Sequence, residues 1–389
     1  MNPTHATDPQ SPAAEALEAQ LLGINAKTGL YPGARSWSGG RLRVLGRGPL
    51  ESYCYHVMSR TCGGEVFFDN VEKEALRRII WRMAEFSGIK IVTYCLMGNH
   101  FHLLAEVPHR QSWLQRFDGP SGEDKLFDHL SILYSRTYLG LLRDELTDLR
   151  ARGMTTLADQ RIETLKKRFC DLSLFVKEIK ERFSRWFNKR RGRRGTLWMD
   201  RFKSVLVEGK GEALRTMAAY IDLNPVRAGL EKNPKDYRWC GYAEALSGSR
   251  RAQRGLCKAL GKPVDGWRTA AAAEAYQNLL EDTGRDCKEN QIHDLKAAQN
   301  EQVSNPAFSA GSDHATPAAR RKLTPAEMVR HRVRYFTDGL VLGSKTFVEG
   351  IFESQRELFS PKRRQGARRI PESAEPFYAL RRLRLRPLE

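Results

Sequence analysis

The stretch LMGNHFHLL, Leu96 to Leu104, sets His100 and His102 on either side of Phe101, between two long apolar runs. Upstream, IKIVTYCLM (Ile89 to Met97) has the β-branched character of a strand; downstream, LLAEV (Leu103 to Val107) continues it. On a strand, the two-residue period puts both imidazoles on one face, roughly 6.6–6.8 Å apart at the Cα atoms. Phe101 then points the other way, into whatever packs behind the sheet. Two imidazoles on a rigid element can hold one metal ion. Two solvent-facing histidines on an edge strand would read identically, so the pair gains meaning only from the rest of the chain.

Outward from this stretch, Tyr53 to Arg60 (YCYHVMSR) reads as a first strand, and Gly63-Gly64 as a turn before the short extended piece EVFF, Glu65 to Phe68. Asp69 or Asn70 can cap a helix running to about Phe86, with Val71, Leu76, Ile79, Ile80 and Met83 at helical spacing; Gly88 ends it. Strand, helix, strand, strand is the order of an α+β sandwich with helices packed on an antiparallel sheet. From 110 to about 170 the pattern turns charged and helical, over Asp124–Arg150 and Leu157–Cys170, and predicts a helical insertion built as a hairpin.

Beyond it, Leu172 begins an amphipathic helix whose Phe175, Ile179, Phe183 and Phe187 form a core stripe. LWMDRFKSVLVE (Leu197 to Glu208) returns to strand character. EALRTMAAYIDL (Glu212 to Leu223) is a helix closed by Asn224-Pro225, so Tyr220 and Asn224 lie in its last turn and, being i and i+4, project from one face. Residues 232–246 read as a closing loop held by Trp239 and Tyr242. Residues 1–45 read as a flexible arm with one short helix near Ala14–Leu22, 46–246 as the main domain, 247–320 as largely linker with a helical stretch near Ala270–Glu281, and 321–389 as a basic, mostly helical extension. In that extension Thr324–Phe336 and Ser344–Leu358 are candidate helices, arranged as a possible helix-turn-helix.

The chain carries 65 Lys plus Arg against 46 Asp plus Glu, a formal charge of +19, which favours a polyanionic partner, nucleic acid first. That charge is clustered. Residues 181–203 hold nine basic groups against two acids, interleaved with Trp186, Phe187, Trp198 and Phe202, a combination suited to a phosphate backbone and unstacked bases. Arg185, Lys189, Arg190, Arg191, Arg193, Arg194, Arg201 and Lys203 are the candidate DNA contacts. Seven scattered cysteines without a C-x-x-C pair, no apolar run long enough to span a membrane, and no signal-peptide pattern predict a soluble protein of a reducing cytoplasm. No G-x-x-x-x-G-K-[ST] loop is present, so no nucleotide cofactor is expected.

Four blocks in order, YHVMSR, YCLMGNHFHLL, RWFNKRRGRRGTLWMDRFKSVLVE and AAYIDLNPVRAGL, closely resemble the single-tyrosine HUH transposases of the insertion-sequence type, and most nearly their REP-associated tyrosine transposase relatives. The resemblance spans roughly residues 45–245, with the insertion unmatched. It implies a ferredoxin-like nuclease core in which His100 and His102 hold a divalent cation, Mg2+ or Mn2+, with Asn224 as the remaining protein ligand. It implies that Tyr220 attacks phosphorus in single-stranded or hairpin DNA, leaving a 5′-phosphotyrosine link and a free 3′-hydroxyl. A second tyrosine one turn away would mark a two-nucleophile enzyme; Thr216 and Asn224 occupy those positions. His56 is expected to be structural. Gly98 stands where relatives often have proline. Two other functions compete: a non-catalytic protein that recognises palindromic DNA, and a replication- or conjugation-type nickase. Monomer and homodimer are both open.

Overall fold

The computed structural model of the protein describes residues 52–268, 271–281, 336, 339–370 and 377–380. The arm over 1–45 with its short helix, and all but Phe336 of the helix expected over Thr324–Phe336, lie outside the described residues, as does much of the basic tail.

In chain order, β1 (Ser52–Arg60) leads to α1 (Asn70–Ser87), β2 (Lys90–Leu96) and β3 (His100–Pro108). The insertion follows as α2 (Arg110–Leu114), α3 (Gly122–Leu130), α4 (Arg136–Ala151) and α5 (Thr155–Lys166). Then come α6 (Leu172–Arg190), β4 (Lys203–Val207), α7 (Gly211–Asp222) and the single turn α8 (Asn224–Arg227). α9 (Gly241–Leu246), α10 (Arg250–Ala259), α11 (residues 271–281), β5 (Val341–Gly343), α12 (Lys345–Ser354), β6 (Arg368–Arg369) and β7 (Tyr378–Leu380) complete the described elements. Local chemistry sets the boundaries of α1. The Asp69 carboxylate accepts from the Val71 and Glu72 amides at 2.8 and 3.2 Å, and Gly88 terminates the helix at φ 73°, where a side chain would be strained.

The strands form one sheet in the order β2-β3-β1-β4-β5-β7-β6. Its first four strands are antiparallel throughout and, with α1 and α6 as the connecting helices, form the βαββαβ arrangement of a ferredoxin-like core. Alternation along β3 divides its side chains between two layers. Phe101 meets the Trp198 ring at 5.5 Å, and Trp198 lies with Phe68 and Phe183 in an aromatic layer between the sheet and helices α1 and α6. His102 faces the opposite side, where α7 brings Tyr220. The insertion seats on the end of α1 through Phe86, Trp113, Phe117, His129 and Phe169, a second aromatic cluster in which His129 Nε2 donates to the Phe86 carbonyl.

Three parts of the fold differ from expectation. Among the described residues of the extension, β5 adds to β4 in parallel, and β7 and β6 follow antiparallel, beside α12. Val341–Gly343, expected within a turn between two helices, is thus a strand, and Ser344 caps α12, accepting from the Phe347 amide. Arg250–Ala259, expected within a linker, is the helix α10, which packs on β2 so closely that a Cβ at Gly255 would sit 2.2 Å from the Val92 carbonyl oxygen. α11 lies where the helical stretch was expected, and its Tyr276 donates to the buried Asp222 carboxylate at 2.6 Å. The fourth strand is also shorter than Leu197–Glu208, because Trp198 turns into the aromatic layer and makes only an isolated bridge to Thr61. No described helix is long and apolar enough to cross a membrane.

Asp222 ties three elements together. It accepts from Thr93 of β2, from Tyr276 of α11 and from the Tyr242 amide of α9. Burial pushes its carboxyl up to about 6, against the pull of these hydrogen bonds. A carboxyl whose folded pKa is raised contributes stability below its unfolded pKa and loses it as the pH rises through the folded value. Asp222→Asn is therefore expected to gain on wild type by about 2 kcal/mol between pH 4 and pH 7, measured as the difference of urea unfolding free energies at the two pH values. A pH-independent difference would contradict the assignment.

Candidate active site

The β1–β3 register sets Arg60 opposite His100, Met58 opposite His102 and Leu104 opposite His56, so all three histidines share one face of the two central strands. His56 and His102 are 1% and 2% exposed, while His100 lies nearer the surface. Their rings form a continuous group. His100 and His102 have centroids 5.0 Å apart and nearly perpendicular planes; His56 and His102 lie 5.1 Å apart, tilted by 15°. Tyr220 approaches both buried rings edge-on, at 5.9 Å from His56 and 6.1 Å from His102. The side chains singled out as ligands and nucleophile, His100, His102 and Tyr220, thus come together.

Hydrogen bonding decides which nitrogens carry protons. A carbonyl can only accept, so His56 Nδ1, 2.7 Å from the Phe336 oxygen, donates to it. In the neutral ring His56 Nε2 then accepts, and His102 Nδ1, 2.8 Å away, is the donor. Asn99 gives its amide hydrogens to the Gly64 carbonyl, which leaves its Oδ1 to accept from His100 Nδ1 at 2.6 Å. Both candidate ligands are therefore fixed in the tautomer that leaves Nε2 a bare lone pair. Burial, with help from Arg60 and Arg227, pulls His100 down to about 4. Burial and then the neighbouring His56 and His100 pull His102 well below its usual value. Neutral imidazoles with defined Nε2 lone pairs are what a divalent cation requires, so these two residues fit one.

Asn224 is placed differently from its expected role. Pro225 breaks the helix, so α7 ends at Asp222 and Asn224 opens a new turn. Its amide group donates to the Tyr220 and Ile221 carbonyls at 3.1 Å each; the second is the carbonyl that the missing Pro225 N–H cannot serve. Its Oδ1 accepts from Arg227 at 2.8 Å. Asn224 thus repairs the helix end beneath Tyr220 and holds Arg227, and its oxygen already serves one cation. Arg227 was not among the sequence candidates. Its guanidinium lies 4.1 Å over the Tyr220 ring, and the signal for it was its place three residues after Asn224 in LNPVRAGL.

The basic segment divides. Arg190 and Arg191 pair with the buried Glu72, and Arg191 also with Asp69, so these two brace α6 against α1. Arg193 is half-buried over Phe67. Arg185, Lys189, Arg194, Arg201 and Lys203 are exposed. Lys203 lies opposite Met58, in one cross-strand row with His102, two strand spacings (about 10 Å) away on the same face. Of the interleaved aromatics, Phe187 and Trp198 are buried in the core and offer no stacking face, whereas Trp186 lines a cleft of about 940 Å³ with Lys73, Arg78, Arg238 and Trp239.

This cluster of histidines, with β1, β2 and β3 around it, falls within a segment of known type. Residues 50–116 match the model of the family described as "Transposase IS200 like". The match covers 67 of the chain's 389 residues. His56, His100 and His102 lie inside it; Tyr220, Asn224 and Arg227 lie beyond it. A solved structure described as "Structure of the REP associates tyrosine transposase bound to a REP hairpin" is 14% identical to this chain, with 53% of this chain and 87% of that one covered and a TM-score of 0.32. No curated protein is significantly similar to the chain.

With the IS200-like segment carrying the histidines, the helix end carrying Tyr220 depends on Asn224. Asn224→Ala leaves the Ile221 carbonyl without its donor and is expected to destabilise the fold by about 1–3 kcal/mol, read as a loss of urea unfolding free energy. An unchanged unfolding curve would mean the side chain has no such role.

Proposed function

We propose that this protein is a transposase-type enzyme that cleaves and rejoins single-stranded DNA through Tyr220, with a divalent cation, Mg2+ or Mn2+, held by His100 and His102. The observation that carries the reading is the convergence of two imidazoles with bare Nε2 lone pairs and one buried tyrosine on the same face of the sheet. The IS200-like match over the histidines supports it independently of that geometry.

When bound, the cation would polarise the scissile phosphate and stabilise charge on the departing oxygen. The chain's own groups supply the remainder. Tyr220 Oη forms a bond to phosphorus, its proton is lost, and the phosphorus–O3′ bond breaks with the electron pair leaving on the 3′-oxygen, which takes up a proton. The product is a 5′-phosphotyrosine and a free 3′-hydroxyl, and reversal with another 3′-hydroxyl rejoins DNA without ATP. Arg227, lying over the nucleophile's ring, and Arg60 and Lys203, on the histidine face, give the approaching phosphodiester a positive environment. The substrate proposed is hairpin DNA of the palindromic repeat type, following the resemblance of the four sequence blocks. Asn224 would join the cation only by sharing its oxygen with Arg227.

Incubation of labelled single-stranded hairpin DNA with the protein and Mn2+ or Mg2+, followed by denaturing electrophoresis, tests this reading. Wild type is expected to give a denaturation-resistant protein–DNA band that needs metal and disappears in Tyr220→Phe. Cleavage without that band, or an adduct persisting in Tyr220→Phe, would remove Tyr220 as nucleophile. Binding without cleavage across several hairpins would favour a regulatory DNA-binding protein.

A further inference from the structure

His56 lies two strand positions from the residue directly opposite His102, is buried, and contacts two atoms that matter: His102 Nδ1 at 2.8 Å and the Phe336 carbonyl at 2.7 Å. The 15° tilt and 5.1 Å spacing of the imidazoles are those of two rings meeting edge to edge in a plane, which is the geometry of a straight N–H···N bond. We propose that His56 is a positioning residue for His102, and that the C-terminal extension anchors it through the Phe336 main-chain carbonyl. The inference rests on the reading of His102 as a cation ligand.

The argument is one of direction. An imidazole between two partners can point its single proton either way, and a chain of two imidazoles could run in either sense. The carbonyl at one end removes that freedom, because it accepts and never donates. Each bond in the chain then has one permitted sense, and the last ring, His102, must expose Nε2 without a proton. Without His56, the His102 ring would be free to carry its proton on Nε2, where a cation would have to displace it. Outer partners of this kind orient a ligating histidine and fix its tautomer, and losing one typically weakens metal binding about 10- to 100-fold.

The carbonyl comes from outside the core. Phe336 lies 280 residues from His56 in the chain and a few residues ahead of β5, which pairs with β4 beside β1. Its ring is fully buried and packs on Tyr220 at 4.9 Å. One residue of the extension therefore meets both the nucleophile, through its side chain, and the ligand's partner, through its backbone. The sheet fixes where that residue can be.

Two measurements on the full-length protein test the proposal. Nitrogen-15 NMR of the metal-free wild type is expected to show His102 protonated at Nδ1 alone; a proton on Nε2 would overturn the proposal without any variant. Titration with Mn2+, followed by the electron paramagnetic resonance of the free ion, is expected to show affinity lower by about 10- to 100-fold in His56→Phe. His56→Gln, whose amide can accept from His102 and donate to Phe336, is expected to restore affinity to near wild type. Equal affinity in His56→Phe and wild type, or equal loss in both variants, would overturn it. Should wild type bind no Mn2+, the failure lies with the proposed cation site, and the tautomer of His102 still decides whether the clamp exists.

Discussion

A slip of one residue between β1 and β3 would leave His56 on one face of the sheet and His100 and His102 on the other. The antiparallel pairing of these two central strands is the constraint on which the rest depends. It sets His56 diagonally across from His102 and Arg60 across from His100. The aromatic layer on the other face enforces it. Phe101, between the two histidines, is fully buried against Trp198, and only one register satisfies both Phe101 and the imidazoles. The core and the site are thus specified by alternate residues of a single strand.

The same face shows how positive charge and neutral ligands coexist. Burial first, and then Arg60 and Arg227, disfavour protonation of the imidazoles, and Arg227 is itself steered by the Asn224 oxygen. A site of this kind disfavours a further cation, so the proposed metal and a polyanion would be mutually supportive ligands. The surrounding arginines do not act alike. Those of the α6 end that meet Glu72 and Asp69 are structural struts, whereas the exposed remainder of the segment can meet a backbone.

Much of this was legible in the sequence. The alternating apolar pattern around His100, the Asp69 cap and the Gly88 stop located β1 to β3 and α1, because each is a local device whose partners lie within a few residues. The strand period put His100 and His102 on one face, and it was the resemblance of the four sequence blocks that added Tyr220 to them. The extension's three described strands were not legible: they are two or three residues long, too short for a local period to announce them, and β5 joins the core sheet through β4, more than a hundred residues away. Asn224 was visible as a polar group near the tyrosine, but its use as a patch for Pro225 depends on which carbonyls the proline leaves open. Helical spacing put Phe187 in the core stripe, but it could not tell that Trp198 serves the core while sitting among arginines; an aromatic beside a cation reads alike in either setting.

The parallel pairing of β5 with β4 has a consequence in time. A parallel partner cannot be reached by a tight turn, and here the connection runs from Val207 to Val341. On the ribosome, chains emerge N-terminus first, so β1 to β4 and the helix bearing Tyr220 are exposed to the solvent long before Phe336 is synthesised. Through that interval His56 has no carbonyl to hold and the phenol ring has no phenylalanine against it. A nascent chain would carry His56, His102 and Tyr220 without their final alignment until the stretch bearing Phe336 and β5 is made.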